Sequence, residues 1–189
     1  VYTNRIREAY GDIPVILGGL EASLRRFAHY DYWDDKIRRS ILLDAQADLL
    51  SFGMGERSMV EIAQLLNDGV PVSEIRDVRG TCYSVDVRET PYYGTECPSF
   101  ENVCNSKKEY AVSCRIQQDE QDHVRGKIIK QRHGNKMLVQ NPPMAPLTTE
   151  ELDAIKSQGI TGTPVYDGIF ENGGFEAGLW PVDAKLDTH

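Results

Sequence analysis

Glycines, arginines and acids gather at two places early in the chain, and these are the residues whose types and spacing could do chemistry. Gly18-Gly19 closes an apolar run over residues 13–17, and Gly53-Met54-Gly55-Glu56 closes a second over 47–52. Glycine lets a backbone turn sharply and pass close to a ligand. A helix opened by Glu56 behind two glycines presents free N–H groups that suit an anion or a polar ligand edge. After the first glycine pair, Glu21, Ser23, Arg25 and Arg26 supply an acid, a hydroxyl and two guanidinium groups, and such arginines hold phosphate or carboxylate bidentately. The candidate ligand-binding set is therefore Gly18, Gly19, Glu21, Ser23, Arg25, Arg26, Gly53, Gly55 and Glu56. Plain strand-to-helix turns and ion-paired surface arginines account for the same residues without a ligand. No catalytic residue is nominated.

The other reactive side chains are less ordered in spacing. Cys82, Cys97, Cys104 and Cys114 lie 15, 7 and 10 positions apart. None forms a Cys-x-x-Cys pair, so neither a zinc ribbon nor a thioredoxin-like motif is present and no metal site is assigned. Arg25, Arg26, Lys36, Arg38 and Arg39 surround the aromatic cluster Phe27, His29, Tyr30, Tyr32 and Trp33. That segment could stack on a flat ligand, or pack a loop against its own domain or a neighbour.

The elements that must position these residues follow from periodicity. Both apolar runs are short, rich in Val, Ile and Leu, and bounded by glycine, as strands buried on both faces of a parallel sheet are. The segment between them is long enough for a crossover containing helix. Two such strands bring both glycine loops to one sheet edge, where open α/β sheets take ligands. Helical spacing predicts helices over residues 3–10, 20–27 and 34–45, the last from Ile37, Ile41 and Leu42. Glu56 starts the clearest helix, with Met59, Ile62, Ala63, Leu65 and Leu66 on its apolar face and Asn67-Asp68-Gly69 as its stop. Residues 81–87 read as a strand and 88–110, with Pro91, Gly94 and Pro98, as an irregular excursion. Residues 127–132 and 136–140 flank His133-Gly134-Asn135 as a β-hairpin. Asn141-Pro142-Pro143 and Pro146 stiffen a connector, after which Thr148-Thr149-Glu150-Glu151 starts a helix with Thr at the N-cap. Beyond Lys156 six glycines interrupt every period, and the tail reads as poorly ordered.

The fold class expected is α/β: a partial Rossmann-like parallel sheet with a β-hairpin extension and a poorly ordered C-terminal tail. The expected divisions are an accessory domain over 1–87, an excursion, hairpin and connector over 88–155, and an unassigned tail over 156–189. The chain starts on a helix with no preceding strand, so the front of a longer protein is expected to be missing. Net charge is −8, which gives no bulk attraction to nucleic acid or anionic membrane. No apolar run approaches the roughly 18–20 residues of a membrane span, and the N-terminus carries no secretory signal. The expected location is cytoplasmic.

A resemblance enters on these residues. Gly18-Gly19, Asp48 before the second run, and Gly53-x-Gly55-Glu56 opening a helix resemble the cobalamin-binding-like Rossmann domain that precedes the barrel in many radical S-adenosylmethionine (SAM) proteins. LGGLEASLRRFAHYDYWDDKIRRSILLDAQADLL, FGMGER, QQDEQDHVRGKIIKQRHGNKMLVQNPP and PLTTEELDAI are similar to the YgiQ family of radical SAM proteins. The resemblance covers about residues 1–155 and leaves the family near Lys156. It implies a region feeding a radical SAM barrel of the same polypeptide, with a [4Fe–4S] cluster and S-adenosylmethionine in the full-length parent and an unknown substrate. Such a cluster needs Cys-x-x-x-Cys-x-x-Cys, and this chain has neither that spacing nor the Asp-x-His-x-x-Gly of cobalamin ligation. The chain is therefore expected to be accessory and not catalytic by itself. The alternative is a non-catalytic interaction module using residues 25–39. A third reading gives it no independent function, with an exposed sheet edge that drives association.

Overall fold

The computed structural model describes residues 2–157. The chain divides into two units, Val1–Ala145 and Pro146–His189.

In the first unit, helix α1 (Tyr2–Tyr10) leads to strand β1 (Ile16–Leu17) and helix α2 (Gly19–Leu24). Strands β2 (His29–Asp31) and β3 (Lys36–Arg38) form a separate hairpin, followed by the short helix α3 (Ile41–Asp44). Strand β4 (Leu49–Ser51), helix α4 (Glu56–Asn67) and strand β5 (Thr81–Asp86) come next. Then come β6 (Thr95–Cys97), α5 (Phe100–Asn105), α6 (Lys107–Asp119), β7 (Ile129–His133) and β8 (Lys136–Gln140).

Six strands make one mixed sheet in the order β1-β4-β5-β8-β7-β6. The expected parallel pair is present: Ile16 faces Leu49 and Leu17 faces Leu50. Past it the sheet runs antiparallel through β5, β8 and β7, and ends on a second parallel pair, β6 with β7. It takes strands from both sides of residue 87. The expected hairpin is β7–β8, paired from Ile129 with Gln140 to His133 with Lys136.

Side chains alternate across the strands, so each face gathers its own core. One face holds Leu50, Phe52, Cys82, Ile129 and Leu138 against Ala22, Phe27 and Leu42. The other holds Leu49, Tyr83, Val85, Met137 and Val139 against Ile62, Ile75 and Val78. Burying a large aliphatic side chain contributes about 1.5–3 kcal/mol, so these two layers are the principal stabilisation of the fold. Asn141, buried at the end of β8, donates to Arg76 O at 2.8 Å and Val78 O at 3.0 Å and pins the segment before β5 to the sheet.

Two expectations are corrected. Residues 34–45 do not form one helix. The spacing of Ile37, Ile41 and Leu42 fits a helix, but Lys36–Arg38 instead pairs with His29–Asp31. Asp35 turns the chain there at φ 50°, and Arg38 ties Asp31 (3.1 Å) and Asp34 across the turn. Only α3 is helical, capped by Ser40 Oγ, which accepts from Leu42 N–H at 3.2 Å. Residues 88–110 are likewise not an irregular excursion but carry β6, α5 and the start of α6. Ser99 and Ser106 cap the two helices by accepting from Asn102 and Glu109 N–H at 3.2 and 3.3 Å, an N-cap use of serine that offsets the turn-forming Pro91, Gly94 and Pro98.

The described part of the second unit, residues 146–157, carries helix α7 (Thr149–Ser157). Thr148 Oγ1 accepts from Glu151 N–H at 3.2 Å and Glu151 Oε2 accepts from Thr148 N–H at 2.7 Å, the reciprocal capping box expected there. The tail expected to be poorly ordered lies, from residue 158, outside the described residues. Among the described residues no helix is long and apolar enough to cross a membrane.

Candidate functional site

β1 and β4 end side by side, so the two glycine loops leave the sheet at a common rim. Gly18 is the N-cap of α2, and Gly19 takes φ +87°. Gly53 takes φ +69°, and Gly55 is the N-cap of α4 with no side-chain cap. An added Cβ on Gly55 would come 2.9 Å from Ser51 Oγ, so a side chain there would require that hydroxyl to turn aside.

Ser23 joins the loops. Its hydroxyl donates to Gly19 O at 2.9 Å and accepts from Gly53 N–H at 3.2 Å. The structure thus brings Gly18, Gly19 and Ser23 together with Gly53, and carries Gly55 and the exposed Glu56 at the start of α4 beside them.

The two arginines part company. Arg25 pairs with Glu21 at 3.2 Å and Asp44 at 3.0 Å, tying α2 to α3. Arg26 turns inward and is 9% exposed. Its Nε donates to Gln140 Oε1 at 2.6 Å, Nη1 donates to Ser23 O, and the guanidinium lies 5.1 Å from the Phe52 ring centroid. Burial lowers its pKa. A side-by-side guanidinium clamp on one anion is therefore not what the two positions make. Glu21 and Arg25 instead border a hollow of about 430 Å³ shared with Leu20, Leu24, His29 and Trp33. Burial and the nearby Arg25 lower the His29 pKa.

Asp48, just before β4, fixes the frame. Its carboxylate accepts from Val15 N–H at 2.7 Å and pairs with Arg7 of α1 at 2.9 Å.

All four cysteines are free. Burial pushes the Cys82 thiol up to about 12 and Cys97 up to about 11, so neither is a thiolate near neutral pH. Cys104 lies on α5 and Cys114 on α6. Among the described residues no group of three His, Cys, Asp or Glu is placed to hold a metal ion. These cysteines do not fit a thiolate-held iron–sulfur cluster.

On the β7 side of the sheet lies a buried polar network that periodicity did not reveal. Gln131 Oε1 accepts from Ala28 N–H at 2.7 Å and faces His133 Nε2 at 2.9 Å. Gln131 Nε2 donates to Pro98 O at 3.0 Å and Ser113 Oγ at 3.3 Å. Gln131, His133 and Gln140 share the sheet face of Ile129 and Leu138. The available signal was that Ile129-Lys130-Gln131-Arg132-His133 has no purely apolar face, although Gln131 is fully buried.

An α/β domain with a glycine rim at the ends of a parallel strand pair is the class these features define. The chain belongs to the radical SAM N-terminal family, whose model matches residues 1–164. It is 48% identical over 190 residues to a UPF0313 protein of Clostridium botulinum (strain ATCC 19397 / Type A), covering all of this chain and 29% of that protein. It is also 48% identical over 187 residues to a UPF0313 protein of Clostridium perfringens (strain SM101 / Type A), covering 98% of this chain and 28% of that one. The chain thus spans less than a third of the length of these curated relatives. The family resemblance drawn from the residue runs is borne out. Its expected limit near Lys156 is corrected, since the family match runs to residue 164 and the botulinum relative aligns over the whole chain. No solved structure matches.

Proposed function

We propose that this chain serves as the accessory N-terminal region of a radical SAM iron–sulfur enzyme, with the cluster and S-adenosylmethionine held elsewhere in a longer polypeptide. The observation that carries this reading is the family match over residues 1–164. The absence of Cys-x-x-x-Cys-x-x-Cys from the sequence supports a region that is not catalytic by itself. In this reading the rim of Gly18–Gly19, Ser23 and Gly53–Glu56 faces the barrel or part of an unassigned substrate. Leu20, 78% exposed, and Met54, 49% exposed, give it apolar contact area.

A second reading makes residues 25–39 an interaction surface. Trp33 is 91% exposed on the hairpin, and an aromatic so placed is a common anchor at protein interfaces.

Anaerobic reconstitution with iron and sulfide tests the first reading on this chain and on the longer Clostridium botulinum relative in parallel. The visible charge-transfer band of an iron–sulfur cluster should form on the relative and not on this chain. A stoichiometric cluster on this chain would refute the accessory role, and none on the relative would remove the enzyme assignment.

A further inference from the structure

The β2–β3 hairpin stands against α5 and α6 and encloses a cleft of about 800 Å³. Two strands of three residues are marginal alone in water, so this hairpin depends on its neighbours. Tyr30 N–H donates to Tyr110 Oη at 3.3 Å, which ties β2 to α6. The cleft is comparable to ligand sites of roughly 300–1,000 Å³.

Its lining has two parts. Tyr30, Tyr110 and Ile37 supply rings and aliphatic surface, on which a flat apolar body packs well, and the buried Val103 backs that lining. Lys36 and Lys107 supply two exposed ammonium groups. Neither makes an ion pair among the described residues, whereas Arg25, Arg38 and Arg39 nearby are all paired with aspartates. The acid that lines the cleft, Asp35, accepts the Tyr30 hydroxyl at 2.8 Å. In a chain of net charge −8 this is a local excess of positive charge at a concave, partly aromatic surface.

We propose that this cleft binds a small organic anion, a flat ring bearing a carboxylate or phosphate, with the ring against Tyr30 and Tyr110 and the anionic group between Lys36 and Lys107. The site is separate from the glycine rim, and its failure would leave the accessory role untouched.

Two-dimensional amide NMR of the whole chain tests it with benzyl phosphate and phenylacetate as probes, and with inorganic phosphate and benzyl alcohol as the ringless and neutral controls. At least one ring anion should produce saturable shifts centred on Tyr30, Ile37, Val103 and Tyr110. The controls should bind about tenfold more weakly, and Lys36→Gln with Lys107→Gln should weaken the ring anion by about tenfold. Unchanged amide positions in β5 and β8 certify that the double variant is folded, and the single variants replace it if it is not. Inorganic phosphate binding as tightly as the ring anions would overturn the proposal. So would binding indifferent to both lysines, shifts centred elsewhere, or no saturable shift at all.

Discussion

Gln131 sets the direction of every bond in the buried network. Its amide nitrogen must donate, because one of its partners is the Pro98 carbonyl, so its oxygen must accept from Ala28 N–H and from His133. His133 therefore carries its proton on Nε2, and Nδ1 is left as a buried lone pair without a partner. Burial pushes the His133 pKa down from 6.5 to about 4, so it is neutral at neutral pH. In the unfolded chain the ring protonates first as pH falls. Stability should thus be full above about 6.5, decline between 6.5 and 4, and level off below, a loss on the order of 3 kcal/mol. Urea midpoints against pH check this. His133→Leu should flatten that part of the slope, and an unchanged slope would assign the acid sensitivity to other groups.

At the scale of elements, what was legible depended on whether local spacing had a single solution. The runs ending at Leu17 and Phe52 could be read because each is short, rich in Val, Ile and Leu, and bounded by glycine. The stretch containing Ile37 and Ile41 was ambiguous. Its spacing satisfies a helix, but the cross-hairpin Arg38–Asp31 pair and the Tyr30–Tyr110 bond favour a hairpin, and the second is a tertiary contact that no local pattern announces. The glycine positions of the rim were legible, but the inward turn of Arg26 was not, since its partner Gln140 is 114 residues away. Gly94, just before β6, shows how tightly the far edge is built. It takes φ +98°, and a Cβ there would lie 2.7 Å from Ile128 O. Gly53 has φ +69° but open space around it. Gly53→Ala should cost about 1–2 kcal/mol from backbone conformation alone. Gly94→Ala should cost clearly more, because the Ile128 carbonyl must also move. Thermal melts of the two variants compare them directly, and equal losses would show that the β6 edge yields freely.

Taken whole, the sheet has an antiparallel centre between two short parallel margins. β5 and β8 share five residue pairs, as do β8 and β7, whereas β1 meets β4 over two and β6 meets β7 over three. Opening should start where the ladder is shortest. Amide hydrogens of β5 and β8 should exchange slowest with solvent deuterium, and those at the β1 margin should exchange early. Uniform protection across all six strands would contradict this order.

The rim that carries Gly18, Ser23 and Gly53 is anchored to that early-opening margin. Whatever closes over it has a loosely held border to lock in place. Occupancy should therefore register as deuterium uptake retarded at Leu17 and Leu50, while the central strands keep their rates.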